Sequence, residues 1–484
     1  MAPGIDEEAG KAELSGLGAE ALLEALTIEQ VPVNQRHGRG RHLFNIWFGV
    51  NVMPLTLVMG VLATSVFHLN FAMSVVAIIL GNAAGGVVMA LHSAQGPRLG
   101  VPQLIQTRGQ FGARGSLLVI GIALVMYLGF LASILVLAGQ SANQLVSPLS
   151  INWGIVLGAI VTLLIVVFGY DIIHKVNRYL LPLFGLAVVL AVIWIMGVHG
   201  LPSNFMSRGS VTLGGFLGAL STVAIWQISY APYVSDYSRY LPIDSNKRTA
   251  FLATYGGTML SSIPLMVAGA IVGIVTTGAN VLSDVSSLTG PVGWFVILMF
   301  LLGAVDACII NLYGPMLCIV TAGQTFRTHW LPGARARITV STVFVAVATF
   351  IAIEYQSNFL IHFTDFITVL LYALIPWSAI NLVDYYLIRR GAYDVDSFFK
   401  PGGGIYGNYN WVALAVYVLG IAVEIPFMTT TFYVGIVAQH LNGGDLTWVA
   451  GLIFTVPVFY FVGKWQQSRQ GTVYLSGTSQ ISGV

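Results

Sequence analysis

Three acids lie well inside long apolar stretches of the chain: Asp306, Asp365 and Glu424. A carboxyl group in hydrocarbon costs at least ~2.5 kcal/mol on insertion scales, so each needs a partner or a role. Asp306 sits mid-segment, in Leu301-Leu302-Gly303-Ala304-Val305-Asp306-Ala307-Cys308, where it could bind a cation or carry a proton. Asp365 lies a turn or two inside its segment, within reach of interfacial water, and Glu424 precedes Pro426, which suits a structural or interfacial role. Asn311, five residues beyond Asp306, can give and accept hydrogen bonds at once. That fits a planar heteroaromatic ligand with alternating donors and acceptors, and equally a bond between helices. Trp47, Trp226, Tyr127 and Phe130 could supply flat stacking faces, although aromatics in such segments more often only pack.

Two segments share a pattern that ends in proline. One reads Phe44-Asn45-Ile46-Trp47-Phe48-Gly49-Val50-Asn51-Val52-Met53-Pro54, the other Ala224-Ile225-Trp226-Gln227-Ile228-Ser229-Tyr230-Ala231-Pro232. Proline removes a backbone donor and clashes with the preceding turn, so both helices should kink or open there. A single such proline is an ordinary kink in a packed bundle. Two at matched positions of oppositely directed halves predict a transporter's midplane site, where freed backbone groups meet substrate and ion. Trp226, just before a break, stands out on that ground.

The elements that must position these residues follow from composition. The chain has 484 residues, of which 56% are apolar and 8% charged, a balance that no soluble globule can bury. An all-α polytopic membrane protein is the remaining class. Apolar runs bounded by charge or turn residues give twelve expected spans: 44–66, 71–95, 116–142, 152–170, 178–198, 211–234, 249–277, 292–325, 336–354, 359–387, 411–438 and 446–463. With the N-terminus inside, all but one (Arg208) of the 21 Lys and Arg residues fall on the cytoplasmic side. Adding or removing one span would scramble that partition, so both ends are expected in the cytoplasm of a multi-pass inner-membrane protein. The expected divisions are a tail at 1–43, a five-helix repeat at 44–198, an inverted five-helix repeat at 211–387, two further helices at 411–463, and a tail at 464–484. The first tail holds seven of the 19 acids, between Asp6 and Glu29, and Ala19–Ile28 is expected as a short surface helix.

Other chemistries find no support. Cys308 and Cys318 are ten residues apart in one helix, about 15 Å of rise and too far for a bridge. There is no Gly-x-x-x-x-Gly-Lys-Ser/Thr phosphate loop and no His-Glu-x-x-His metal motif. No basic run points to nucleic acid, and no nucleophile–base pair points to an enzyme.

Five stretches resemble the nucleobase-cation symporter-1 family of purine, cytosine, allantoin and hydantoin permeases. They are Ile46-Trp47-Phe48-Gly49 with Asn51; Phe111-Gly112-Ala113-Arg114-Gly115-Ser116; Val234-Ser235-Asp236-Tyr237-Ser238-Arg239-Tyr240; Asn311-Leu312-Tyr313-Gly314-Pro315; and Asp384-Tyr385-Tyr386-Leu387-Ile388-Arg389-Arg390 with Asn410-Trp411-Val412-Ala413-Leu414-Ala415-Val416-Tyr417. The resemblance implies the leucine-transporter type of fold, with five plus five inverted helices, broken helices one and six and two extra C-terminal helices. It implies cation-coupled import of a nucleobase or related heterocycle by alternating access, with no cofactor and no metal beyond a coupling sodium. Tyr127 and Trp226 would stack on the substrate, with Asn51, Phe130, Gln227 and Asn311 around it. Gly49, Val52 and Leu302 match carbonyls of the family's sodium site, while Val305 and Asp306 stand where two hydroxyl residues are usual. That departure leaves the coupling ion as H+ or Na+. Leu131 and Met53 replace two amides of the hydantoin type, so allantoin, hydantoin, thiamine or a pyridine vitamin remain alternatives to a nucleobase, as does a receptor without flux. Members of the family can work as monomers in the lipid bilayer.

Overall fold

The computed structural model describes residues 28–469 apart from 169, 246, 277–279, 328–329 and 331–332. Most of both tails, with nearly all of the helix expected at Ala19–Ile28, falls outside them. Among the described residues the chain is almost entirely helical, with two isolated β-bridges, Leu69 to Ser210 and Thr429 to Val434. The elements used below are α1 (Gly40–Asn51), α2 (Pro54–Ser65), α3 (Phe71–Ser93), α4 (Gln103–Phe111), α5 (Leu117–Leu145), α6 (Ile151–Phe168), α7 (Tyr170–Ile193), α8 (Leu213–Ile228), α9 (Val234–Ser238), α10 (Lys247–Val275), α11 (Val281–Thr289), α12 (Gly293–Phe326), α13 (Ala334–Tyr355), α14 (Phe359–Val383), α15 (Trp411–Glu424) and α16 (Thr447–Arg469).

Each expected span falls on one of these helices or on an interrupted pair. Eight helical runs among the described residues are long and apolar enough to cross a bilayer, or nine with α1 and α2 taken as one span bent by 59°. The run 335–388 contains both α13 and α14, joined through a 3-10 turn at Gln356–Asn358. The helices α6 and α15 are shorter than that length.

The structure corrects one span and adds short helices. Within the segment expected at 411–438 the helix ends at Glu424, continuing as a 3-10 turn at Ile425–Phe427, and a separate short helix follows at Ile436–His440. Pro426 brings no N–H to extend the ladder, and the chain then turns back, with Gly435 N–H bonded to Met428 O at 2.8 Å. Unexpected are α4, which follows the second span, and α11, which precedes the eighth. Both are short, and their composition lacks the long apolar run on which spans are recognised.

Spans one, two, six and seven pack through glycine. α10 lies against α1, α2 and α3, and α3 lies against α8. In lipid no hydrophobic force drives helices together, so close approach at small residues supplies the attraction. A Cβ on Gly60 would stand 1.7 Å from Met266 O, one on Gly269 1.9 Å from Leu57 O, and one on Gly85 2.1 Å from Ala224 O. These are backbone atoms, which cannot swing aside. Gly60→Ala should therefore lower stability by roughly 1–3 kcal/mol, the usual range for overpacking. Gly121→Ala, where a Cβ meets nothing within 4 Å, should leave the melting temperature of the purified protein unchanged. Equal melting temperatures for the two variants would contradict this packing.

Candidate functional site

Both predicted interruptions are present. α1 ends at Asn51, Val52 leaves the helical region at φ −84°, ψ 71°, Met53 is extended, and Pro54 opens α2. Proline fits that first helical position because its missing N–H would have no partner there. α8 ends at Ile228, where the Ser229 hydroxyl donates back to Trp226 O at 2.8 Å. A 3-10 turn at Ala231–Tyr233, containing Pro232, then leads into α9.

The carboxamide of Asn51 joins the two breaks. Its side chain has no exposed surface. Its oxygen accepts from the Trp226 indole N–H at 2.9 Å, from the Ser262 hydroxyl at 2.8 Å and, more weakly, from the Tyr230 hydroxyl at 3.4 Å. Its amide donates to Trp47 O at 2.9 Å. The orientation of the Trp226 ring is thus tied to the end of α1. Gln227, next in sequence, is also buried, and its amide donates to Asn82 Oδ1 at 2.7 Å and to Ser262 Oγ at 3.0 Å. Its oxygen accepts from the Thr258 hydroxyl. A single polar network therefore links α1, α3, α8 and α10 in a setting where each bond is strengthened by the low dielectric.

Aromatic rings surround this network. Trp47 is approached edge-on by Tyr230 at 5.5 Å and by Tyr237 at 5.4 Å. Phe130 meets Trp226 edge-on at 6.1 Å and Phe366 of α14 at 5.4 Å. Tyr127 lies 5.5 Å from Tyr233. A Cβ on Gly314 of α12 would fall 2.3 Å from the Tyr127 ring, so α12 presses on that ring three residues beyond Asn311. Asn311 donates to Ala307 O at 2.9 Å.

The expected residues thus divide into groups. Asn51, Trp226, Phe130 and Gln227 meet at the breaks, while Tyr127 and Asn311 lie where α5 packs against α12. Gly49 and Val52 are at the break itself, with Val52 N–H donating to Gly49 O at 3.0 Å. Leu302, Val305 and Asp306 are partly exposed on α12, which also touches α2. Among the described residues no group of three or more His, Cys, Asp or Glu could hold a metal ion. Cys308 and Cys318 are buried free thiols. Sequence reasoning overlooked Asn82, Thr258, Ser262, Tyr230 and Tyr233. The available signal was the isolated polar residue in an apolar run, such as Asn82 after Gly81, which costs energy unless a neighbouring helix receives it.

The motif residues gather at the basic end of the bundle. Ser235 donates to Gln103 Oε1 at 2.6 Å and to His92 O at 2.9 Å, and Asp236 accepts from Gln103 N–H at 2.9 Å. Asp384 forms an ion pair with Arg389 at 2.9 Å. Asn410 donates its side-chain amide to Gln110 O at 2.7 Å. Arg108 of α4 donates to Phe398 O at 2.6 Å and to Thr321 O at 2.9 Å, and burial pushes its guanidinium down to about 10. It stays charged at neutral pH and holds α4 against α12.

The sequence profile for permeases for cytosine/purines, uracil, thiamine and allantoin matches residues 30–451. The chain belongs to this family, the nucleobase-cation symporter-1 permeases. A putative purine-cytosine permease of Bacillus subtilis is 39% identical over 448 residues, 91% of this chain and 96% of that one. A hydantoin permease of Microbacterium maritypicum is 25% identical over 448 residues, 86% of each chain. Inward-facing Mhp1 superposes with a TM-score of 0.72 at 17% identity, covering 91% of this chain and 94% of that one. Mhp1 closed on bromovinylhydantoin, a nucleobase-cation-symport-1 transporter, gives 0.71 at 19% identity, covering 92% and 96%. The fold is therefore of the leucine-transporter type, and membership of a permease family places the protein outside the enzymes.

Within this permease Gln227 has both ends of its amide occupied by neighbouring helices. Gln227→Leu orphans the buried Asn82 oxygen and the Thr258 hydroxyl, which should cost about 1–3 kcal/mol for each group left unpaired. A clear fall in melting temperature of the purified variant is expected, and an unchanged one would mean that the network is not structural.

Proposed function

We propose that the protein is a secondary-active importer in the inner membrane, coupled to H+ or Na+, for a nucleobase or a closely related planar heterocycle. The observation that carries this reading is the tether between the two breaks: Asn51 holds the Trp226 indole in place where the interrupted helices meet. A face so fixed suits stacking on a flat ring, with Tyr127 as the second aromatic and Asn311 as the hydrogen-bonding group that reads the ring's edge. The names of the relatives, purine-cytosine and hydantoin permeases, support a ring of that kind. In this reading the basic end faces the cytoplasm. Gly49, Val52, Leu302, Val305 and Asp306 form the ion site, where a carboxylate either ligates sodium or takes up a proton in its place.

Uptake by proteoliposomes of cytosine, uracil, hypoxanthine, allantoin, hydantoins and thiamine, with sodium and pH gradients imposed separately, tests both cargo and ion. Concentrative uptake of at least one of these driven by one gradient is expected. Counterflow of none of them would favour a receptor. Asp306→Asn should abolish uphill accumulation while ligand binding persists; full concentrative uptake in that variant would remove Asp306 from the ion site.

A further inference from the structure

An acidic cluster lies at the end of the bundle opposite the basic face. A cavity of about 210 Å³ opens between α8, α14 and the chain linking α15 to α16, and Asp365 and Asp445 line it. Asp365 accepts from the Thr431 N–H at 2.9 Å and from the Thr431 hydroxyl. Asp445 accepts from the Thr447 N–H at 3.0 Å and from the Tyr372 hydroxyl at 2.7 Å. These donors are neutral.

Glu424, the last residue of α15, faces Asp445 of this cavity without lining it. It has no exposed surface, and neither carboxyl oxygen has a hydrogen-bond partner. A Cβ on Gly451 of α16 would fall 2.0 Å from Glu424 Oε1 and 2.8 Å from the Ile375 side chain of α14, so the carboxyl is wedged between those two helices. The ionisable groups facing it are Asp445 from the interhelical chain, Tyr372 from α14 and Tyr417 from its own helix. From α16 it meets Gly451, which does not ionise. Among the described residues none of the three acids forms an ion pair with a Lys, Arg or His.

An ionised carboxylate without partners in this setting costs several kcal/mol or more, and the usual resolution is to take up a proton. A metal ion needs several oxygen ligands, whereas Glu424 is boxed by an isoleucine side chain and a glycine. We propose that Glu424 is a proton-binding site separate from the ion site at Asp306, loaded and emptied through the Asp365–Asp445 cavity as α14 moves. With α14 packed against α16 the carboxyl keeps its proton. When α14 shifts, Ile375 leaves the carboxyl, cavity water reaches it, and the proton passes to water or to Asp445 while Glu424 becomes a carboxylate.

Infrared pH titration of the purified full-length protein reads the proton directly, and this arm does not depend on the transport reading. The wild type should show the C=O band of a protonated, buried carboxyl at neutral pH, and Glu424→Gln, a neutral isostere, should lack it. An identical band in both proteins would overturn the proposal. Should Glu424→Gln not fold, Ile375→Ser serves instead: by admitting a hydroxyl and water it should make the band disappear at lower pH than in the wild type, and an unmoved titration would overturn the proposal. The coupling to α14 rests on the transport reading and is tested with labelled cytosine in proteoliposomes. Wild-type uptake should differ between acidic and alkaline outer media, and Glu424→Gln should take up cytosine equally in both. A variant with the wild-type pH response would overturn the coupling, while a wild type that moves no cytosine would speak against that cargo and leave the infrared arm to decide.

Discussion

In hydrocarbon a backbone that leaves the helix must find every hydrogen-bond partner within the protein. Two helices are interrupted side by side here, and one buried carboxamide does much to make that tolerable. Asn51 ends the first interrupted helix and accepts from Trp226, just before the second interruption, while Ser262 brings in span seven. Gln227 extends the network to Asn82 on span two. Remove that chain of bonds and the Trp226 indole, the Ser262 hydroxyl and the Asn82 oxygen are left unpaired in a medium that offers no water.

The same constraint explains how closely the surrounding helices approach. Polar bonds of ordinary length between spans require backbones close together, and the glycines at 60, 85 and 269 permit that approach. Packing and polar network are therefore coupled: a methyl group at Gly60 would press on the carbonyl of Met266, whose thioether lies 3.2 Å from the Asn82 amide. The site aromatics then sit on a frame with little freedom in span seven, while the contacts of Phe130 and Tyr127 run to helices α14 and α12. Span ten meets the site at Phe366 and the acidic cavity at Tyr372, so movement of that single helix would reach both.

The motifs that most clearly marked the family occupy a different part of the molecule. Val234–Tyr240, Asp384–Arg390 and Asn410 build a polar layer with α4 at the basic end, and Val234–Tyr240 runs into it directly from the second break. Several donors and acceptors there have a specific partner on another element, as Ser235 has in Gln103 and Asn410 in Gln110. Recognition by sequence rests partly on this layer and partly on the stretches that carry Gly49, Asn51 and Asn311 of the candidate site.

Sequence alone determined the class, the positions of the helices and the two interruptions, because these depend on local properties: apolar run length, charge at segment ends, and proline's missing N–H. It also marked Asp306 and Glu424 as costly, since burial of an acid is costly wherever it occurs. It placed the end of span eleven too late, at 438, because Ile436, Val437 and Ala438 continue the apolar run after the chain has turned back. Tertiary structure decided what each polar group faces. Gln227 reads as a ligand contact in the chain and is bonded to two neighbouring helices in the fold. Glu424, read as structural or interfacial, is sealed between α14 and α16. Hydrogen-bond partners up to 300 residues apart, as for Asn410 and Gln110, are set by which helices pack together, and no local pattern records that choice.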